Sequence, residues 1–452
     1  MSILIVGGGE IGQFIAEQLI RENKEVVIIE KNERIISEIE EGLDAKFILG
    51  NGAAPSTLHE AGLKDAEMLI AVTDSDEVNI LATIFAGIEA PQAIRIARIR
   101  NPEFDVEEKR IQSNLHVNLM INPDKESAGA IMRVLQVPGA SDIIDFFDGE
   151  FKIVGTKVKP SSQILGMKLK DLHLLKDEGS FLLAALYRSS TLIIPDGNDE
   201  IKLGDVIYFA SHSNRVFEGM RLLGHKHEKI DDIMIHGGGY IGRNLAESLE
   251  KAGARVKLIE PDPQLCSTAS RNLSKTLILN AHGTDQSLLI EENIGEMDAF
   301  ISVTKDDEDN IISALLAKRL GCPVGIALSH KAAYQPLISS IGIDVVINPR
   351  QIANNTILHF IRKGRVLHVS TLAESAEIIE VEALETSELV GKPLHKMKLP
   401  DDVLILSIKR KGRIIVPWGD TVIEAGDHVL IIAHRNSVKK LERFLTVSLE
   451  YF

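Results

Sequence analysis

Two glycine runs carry the densest chemical information in this chain. Gly7-x-Gly9-x-x-Gly12 follows the apolar run Ile3-Leu4-Ile5-Val6, and Gly237-x-Gly239-x-x-Gly242 follows Ile233-Met234-Ile235-His236. Glycines at this spacing, between a strand and a helix, suit a dinucleotide. The first makes the tight turn, the second lets backbone approach a pyrophosphate, and the third lets helix and strand pack closely. The helices that open at Glu10-Ile11 and Tyr240-Ile241 offer free N–H groups and a partial positive charge to phosphates. An acid ends the next strand in both copies: Glu30, 18 residues after Gly12, and Glu260, 18 after Gly242. A carboxylate there accepts both ribose hydroxyls of an adenosine and repels a 2′-phosphate. NAD(H) or ATP/ADP is therefore expected rather than NADP. The plainer alternative, glycines that only shape turns and acids that are solvated strand ends, carries more weight for the second copy than for the first.

Other candidates lie where further strands end. Gly50-Asn51-Gly52-Ala53 closes the third strand and Thr73-Asp74 the fourth, at the carboxyl edge where open α/β sheets bind ligands. Gly52 would let backbone approach adenine, and Thr73 or Asp74 would reach ribose or phosphate; ordinary turn chemistry explains the same residues. Gly283, Thr284 and Thr304 hold the corresponding places in the second copy. Arg98 and Arg100 follow the fifth strand, and a guanidinium suits terminal phosphates, including those of a neighbouring subunit. A solvated strand end is the alternative. The second copy reads Ile326-Ala327-Leu328-Ser329 here, with no arginine, so its ligand is expected to bind differently or more weakly.

The rest of the chain offers little chemistry. There is no nucleophile elbow, HExxH, Walker lysine or CxxC pair, and no catalytic residue is assigned. His225-x-His227 reads as a solvated pair in a charged junction rather than a metal site, and no metal is expected. His212, His428 and His434 read as surface or strand-end residues. An NAD-dependent oxidoreductase remains the competing class, but it would need an acid/base group that the intervening segments do not supply. Fifty Lys and Arg against 65 Asp and Glu give a net charge of −15, which lacks the basic footprint of nucleic-acid binding. Cys266 and Cys322 are expected to pack as small hydrophobes in a reducing compartment. No targeting segment is visible, and no apolar run approaches the ~18 residues that cross a bilayer. A role at a membrane would come through a partner.

The elements that position these residues occur twice. Val26–Glu30 returns at Val256–Glu260, and Leu69–Asp74 at Phe300–Lys305, at a constant offset of 230 or 231 residues. The segments behind them repeat too: Leu203-Gly204-Asp205 answers Ala425-Gly426-Asp427. In the first glycine-bearing segment, strands are expected at 2–6, 25–30, 46–49, 67–72, 93–99 and 117–121, with helical spacing between them. That alternation predicts a doubly wound parallel α/β sheet of Rossmann type. The segment behind it, with strand-like runs at 181–187, 192–194 and 206–210 and a helix at 213–223, predicts a small α+β domain of hairpins. The plan is Rossmann 1–135, small domain 136–225, Rossmann 230–363 and small domain 364–450.

This plan resembles the TrkA family of Trk potassium-uptake proteins, which carries two RCK modules per chain. The likeness covers nearly all of the sequence. It rests on Gly7–Gly12, Gly50–Ala53, Ala71-Val72-Thr73, Ala97-Arg98-Ile99-Arg100, Asp307-Glu308-Asp309-Asn310 and Ser313–Arg319. The resemblance implies a cytoplasmic regulatory subunit that is not an enzyme, peripheral on the inner face of the cell membrane. It further implies binding of NAD(H) and adenine nucleotides. The expected assembly is a ring of eight modules, hence a homotetramer, beneath a membrane subunit of TrkH/TrkG type.

Overall fold

Four consecutive apolar residues, Ile3 to Val6, are at most 1% exposed. A strand this continuously buried must be covered on both faces, as in a parallel sheet wrapped by helices. A computed structural model shows that arrangement. It describes residues 2–445 except 22, 102, 107–109, 111, 113, 115–116, 176–181, 190, 227–228, 332–333, 335–336, 339–340, 362–365 and 373–374.

The chain begins β1 (Ser2–Val6), α1 (Glu10–Arg21), β2 (Glu25–Glu30), α2 (Glu33–Ile39), β3 (Lys46–Leu49), α3 (Pro55–Glu60), β4 (Ala66–Ala71), α4 (Asp76–Glu89), β5 (Ile94–Arg98), β6 (Leu119–Ile121) and α5 (Pro123–Leu135). Its strands lie in the order β3-β2-β1-β4-β5-β6, all parallel. The order reverses between β1 and β4, so a crevice opens beyond the carboxyl ends of those two strands. The helices start where side chains can cap them: Asn32 accepts from Arg34 N ahead of α2, and Ser75 from Val78 N ahead of α4.

Next come β7 (Ala140–Phe146), β8 (Phe151–Lys157), β9 (Leu182–Arg188), β10 (Thr191–Ile193), β11 (Val206–His212) and α6 (Val216–Leu222), with the antiparallel strands ordered β10-β9-β11-β8-β7. The strand-like runs read from sequence at 192–194 and 206–210 fall on β10 and β11; residue 181 lies outside the described residues. The second Rossmann segment repeats the first as β12 (Asp232–His236), α7 (Tyr240–Ala252), β13 (Arg255–Ile259), α8 (Pro263–Asn272), β14 (Leu277–Leu279), α9 (Gln286–Glu291), β15 (Ala299–Ser302), α10 (Asp307–Arg319), β16 (Val324–Leu328), β17 (Val345–Ile347) and α11 (Pro349–Ile361). Its order is β14-β13-β12-β15-β16-β17. The chain ends in β18 (Val366–Leu372), β19 (Ala376–Glu382), β20 (Val403–Arg410), β21 (Arg413–Ile415), β22 (His428–His434) and α12 (Arg435–Leu445), ordered β18-β19-β22-β20-β21.

Two compact units result: Met1–Ser127 with Asn348–Ile361, and Ala128–Ile347 with Arg362–Phe452. In the first, α11 packs on α1, so a helix from the second Rossmann segment completes the unit that holds the first glycine loop. In the second, the two antiparallel sheets share a core that includes Phe146, Phe151, Leu372, Ile378, Leu406 and Ile432. Each of these side chains contributes about 1.5–3 kcal/mol when fully buried.

The repeated Gly-Asp turn has a structural explanation. Asp205 and Asp427 are each 2% exposed and receive a bidentate arginine: Arg188 Nε and Nη2 donate at 2.7 and 2.6 Å, and Arg410 Nε and Nη2 at 2.8 and 2.7 Å. Burial alone would raise the Asp205 carboxyl, but hydrogen bonds from Arg188 and Lys202 N hold it below the usual range. His225 is likewise structural. The sequence suggested a solvated residue, but it is 6% exposed, with Nε2 2.9 Å from Thr156 Oγ1 and 3.1 Å from Lys157 O. It fills the space beside Gly139, where a Cβ would lie 2.1 Å from its Nδ1. His227 lies outside the described residues.

Candidate nucleotide sites

At the first crevice, three backbone segments converge on the glycine loop. A Cβ on Gly7 would sit 3.0 Å from Thr73 N, one on Gly8 would lie 3.3 Å from Glu30 Cβ, and one on Gly52 would fall 2.0 Å from Val6 Cγ1. Gly7 has φ +112°, which an L side chain rarely adopts. A Cβ on Gly12 would fall 1.9 Å from Gly7 O, so this glycine lets α1 start directly against the loop. Gly9 differs from all of these: a Cβ there meets nothing within 4 Å. Its open side is where a pyrophosphate would approach.

Glu30 is 8% exposed and already oriented. Its Oε2 accepts from Gly8 N at 2.8 Å and its Oε1 from Asn32 N at 3.0 Å. Ile11 is buried under the loop, whereas Glu10 is exposed and ion-paired with Arg350 at the start of α11. Sequence reading missed Arg350, because it lies 340 residues from Glu10 and nothing in its local pattern points there.

The Thr73 hydroxyl is spent within its own turn. It donates to Asn79 Oδ1 at 2.8 Å or Ser75 O at 3.1 Å, and accepts from Ser75 N at 3.2 Å. Asn79, fully buried, also accepts from Thr73 N and donates to Thr73 O and Arg98 O. It therefore clamps the ends of β4 and β5 together, a role sequence reading missed. The signal was present: Asn310 recurs at the same offset and makes the same bonds to Thr304 and to Leu328 O.

The arginines lie at the carboxyl edge with acidic partners. Arg98 Nη1 donates to Asp74 Oδ1 at 3.0 Å and to Thr73 O at 3.2 Å, while its buried Nε has no partner. Asp74 is 97% exposed, which makes it a weak competitor for that charge. Arg100 donates through Nε and Nη2 to Asp124 Oδ2 at 3.3 and 3.2 Å. The Asn51 side chain accepts from Ala53 N, an Asx turn that shapes the segment around Gly52.

The second crevice copies this frame. Glu260, 6% exposed, accepts from Gly238 N at 2.6 Å and Asp262 N at 2.8 Å. Gly237 abuts Val303 and Thr304, and a Cβ on Gly242 would fall 1.8 Å from Gly237 O; one on Gly239 meets nothing. Tyr240 and the buried Ile241 open α7. Gly283 is packed on the His236 ring, and Thr284 follows it just ahead of the Asp285 cap of α9. His330 stands where the first copy has Arg100, with Nδ1 2.8 Å from Asp307. Arg243 Nη1 donates to Gly238 O at 2.6 Å, in the place of Gln13, which donates to Gly8 O at 2.8 Å. No group of three or more His, Cys, Asp or Glu placed to hold a metal occurs among the described residues.

Known proteins share both the sequence pattern and the frame. The TrkA-N domain family matches residues 3–123 and 233–349, and the TrkA-C domain family residues 153–227 and 378–446. The Trk system potassium uptake protein TrkA of Azorhizobium caulinodans is 34% identical over 458 residues, covering 100% of both chains. The protein of the same name from Vibrio alginolyticus is 35% identical over 437 residues, covering 95% of each. A Trk system potassium uptake protein TrkA homolog from Methanosarcina mazei is 34% identical over 452 residues, covering 98% of this chain and 100% of its own. Among solved structures, the GsuK RCK domain superposes with a TM-score of 0.62 at 17% identity, covering 98% of this chain and 95% of that one. The GsuK channel bound to NAD gives 0.61 at 17%, covering 98% and 79%. At that identity the likeness is one of fold.

Proposed function

Because this chain belongs to the family of the Trk system potassium uptake protein TrkA, we propose that it is a nucleotide-binding regulatory subunit of a membrane potassium transporter of TrkH/TrkG type. It binds NAD(H) and ATP/ADP at its glycine loops and acts by changing shape rather than by catalysis. The observation that carries this reading is the paired construction of the loops. In each, a buried glutamate is held by the loop's own N–H, and an open glycine faces the crevice. Among the described residues no helix is long and apolar enough to cross a membrane. The reading therefore assigns ion passage to the partner and places this chain on the cytoplasmic face.

A bound nucleotide can shift the transporter only by its differential affinity for two shapes of the regulatory assembly. ATP and ADP differ by one phosphate, and Arg98 and Arg100 lie at the edge where that phosphate would arrive. In proteoliposomes holding the partner, potassium flux is expected to change on adding this chain and to differ between ATP and ADP. Arg98→Ala or Arg100→Ala should narrow the ATP/ADP contrast, because a charge-assisted contact is worth about 1.5–3 kcal/mol. Flux that is the same in every condition would remove the regulatory reading.

The same reading makes the working unit a ring of four chains, since two modules per chain fill eight places. Closed symmetry is the usual way for repeated modules to cover their exposed faces. Light scattering at micromolar concentration is expected to give about four times the chain mass of 49.6 kDa. A stable monomer would contradict it.

A further inference from the structure

The two crevices share a frame but differ in their lining. In the first, Val6, which ends β1 just before the loop, packs in one apolar cluster with Ala71, Val78 and Ala82. The corresponding residues of the second are His236, Ser302, Asp309 and Ser313. His236 ends β12, immediately before Gly237, and its side chain is 1% exposed. Its Nδ1 lies 3.0 Å from Ser302 Oγ and 3.2 Å from Ser313 Oγ. Both serine protons have other acceptors: Ser302 donates to Asn310 Oδ1 at 2.9 Å, and Ser313 to Asp309 O at 2.7 Å. With the serine protons on these acceptors, Nδ1 is the donor and Nε2 carries the lone pair.

That lone pair is buried, without a hydrogen-bond partner, and 3.6 Å from Asp309 Oδ2. Two acceptors face one another, and a proton on Nε2 would turn the contact into an ion pair. Asp309, in the first turn of α10, is 35% exposed, and its carboxylate lies beside His236, the residue immediately before Gly237. An anionic ligand on Gly238 and Gly239 would meet it as a like charge. The second copy also lacks the two arginines of the first.

We propose that the second glycine loop binds its nucleotide with uptake of a proton on His236, which cancels the Asp309 charge, so that this crevice fills preferentially as pH falls. The proposal rests on the reading that this loop binds a nucleotide. The first loop, with Val6 and Val78 at these places, has no such proton site. In the free protein, burial holds the His236 imidazole below its usual range, while Asp309 on α10 and Glu260 at the end of β13 pull it up and His282 after β14 pushes it down. The free crevice is thus unprotonated near neutrality. By linkage, a ligand that raises the proton affinity of His236 binds more tightly at lower pH, by at most about tenfold per pH unit for one proton.

The test uses the full-length Gly9→Val chain, in which the first loop is blocked, and NAD⁺, whose diphosphate does not titrate between pH 5.5 and 8. Calorimetry in buffers of different ionisation enthalpy is expected to show proton uptake approaching one per chain, with affinity rising as pH falls. His236→Val should abolish both effects. Asp309→Asn, at a part-exposed position, should tighten binding at pH 7.5 and flatten the pH profile. His282→Asn should keep the profile and move it to slightly higher pH, because His282 pushes the His236 imidazole down. Binding that is independent of pH, or a profile that survives His236→Val or vanishes with His282→Asn, overturns the proposal and leaves the nucleotide reading intact. No NAD⁺ binding at any pH overturns both for this crevice.

Discussion

Gly9→Val is expected to weaken NADH and ATP binding at the first loop by orders of magnitude while the chain keeps its stability, and Gly12→Val to destabilise the unit that holds it. The two glycines belong to one motif, but their surroundings separate them. A Cβ on Gly9 meets no protein atom within 4 Å, so a valine there projects into the space a pyrophosphate would take. Loss of two charge-assisted contacts to loop N–H groups, at about 1.5–3 kcal/mol each, weakens binding by roughly two to four orders of magnitude. A Cβ on Gly12 would lie 1.9 Å from Gly7 O, a backbone atom that cannot move aside without displacing the loop. Overpacking of this kind costs typically about 1–3 kcal/mol or more. Calorimetry and urea unfolding on both variants check the pair. Unchanged nucleotide affinity and stoichiometry in Gly9→Val would remove the first loop from the binding site.

NADPH is expected to bind the first loop at least about 100-fold more weakly than NADH, and Glu30→Gln to close most of that gap. Glu30 cannot turn away from an added 2′-phosphate, since both its oxygens are held by backbone N–H groups and it is 8% exposed. Two unit charges at 4 Å repel by about 4 kcal/mol at the effective dielectric of a protein surface, before salt screening. Glutamine keeps an acceptor for Gly8 N and removes the charge. Direct competition between NADH and NADPH is the measurement; equal affinities in the parent chain would deny the acid its role.

The repeat, the glycine spacing and the apolar runs made the Rossmann sheets legible from sequence. In a parallel sheet the strands are buried on both faces and read as continuous apolar segments, and the expected strands at 2–6, 25–30 and 46–49 coincide with β1, β2 and β3. The acids at Glu30 and Glu260 were legible for the same reason, because they stand at a fixed distance from a motif with a fixed geometry. The small domains were legible only in outline. Their main strands are as long as those of the Rossmann sheets, but β7 and β8 have no flanking motif to announce them.

What sequence could not decide is what each side chain spends its bonds on. The hydroxyl of Thr73 stands at the crevice edge in sequence, but in space Asn79 and Ser75 take it up. Arg98 and Arg100 read as free cations, yet each meets an acid at 24 residues' separation. Arg350 reaches Glu10 only because α11 packs on α1. His236 reads as one more residue in an apolar strand, and only the packing of β12 against β15 and α10 sets it beside Ser302, Ser313 and Asp309. Local periodicity and turn chemistry determine elements because they act over a few residues. Charge pairing and burial are settled across distances that only tertiary packing brings together.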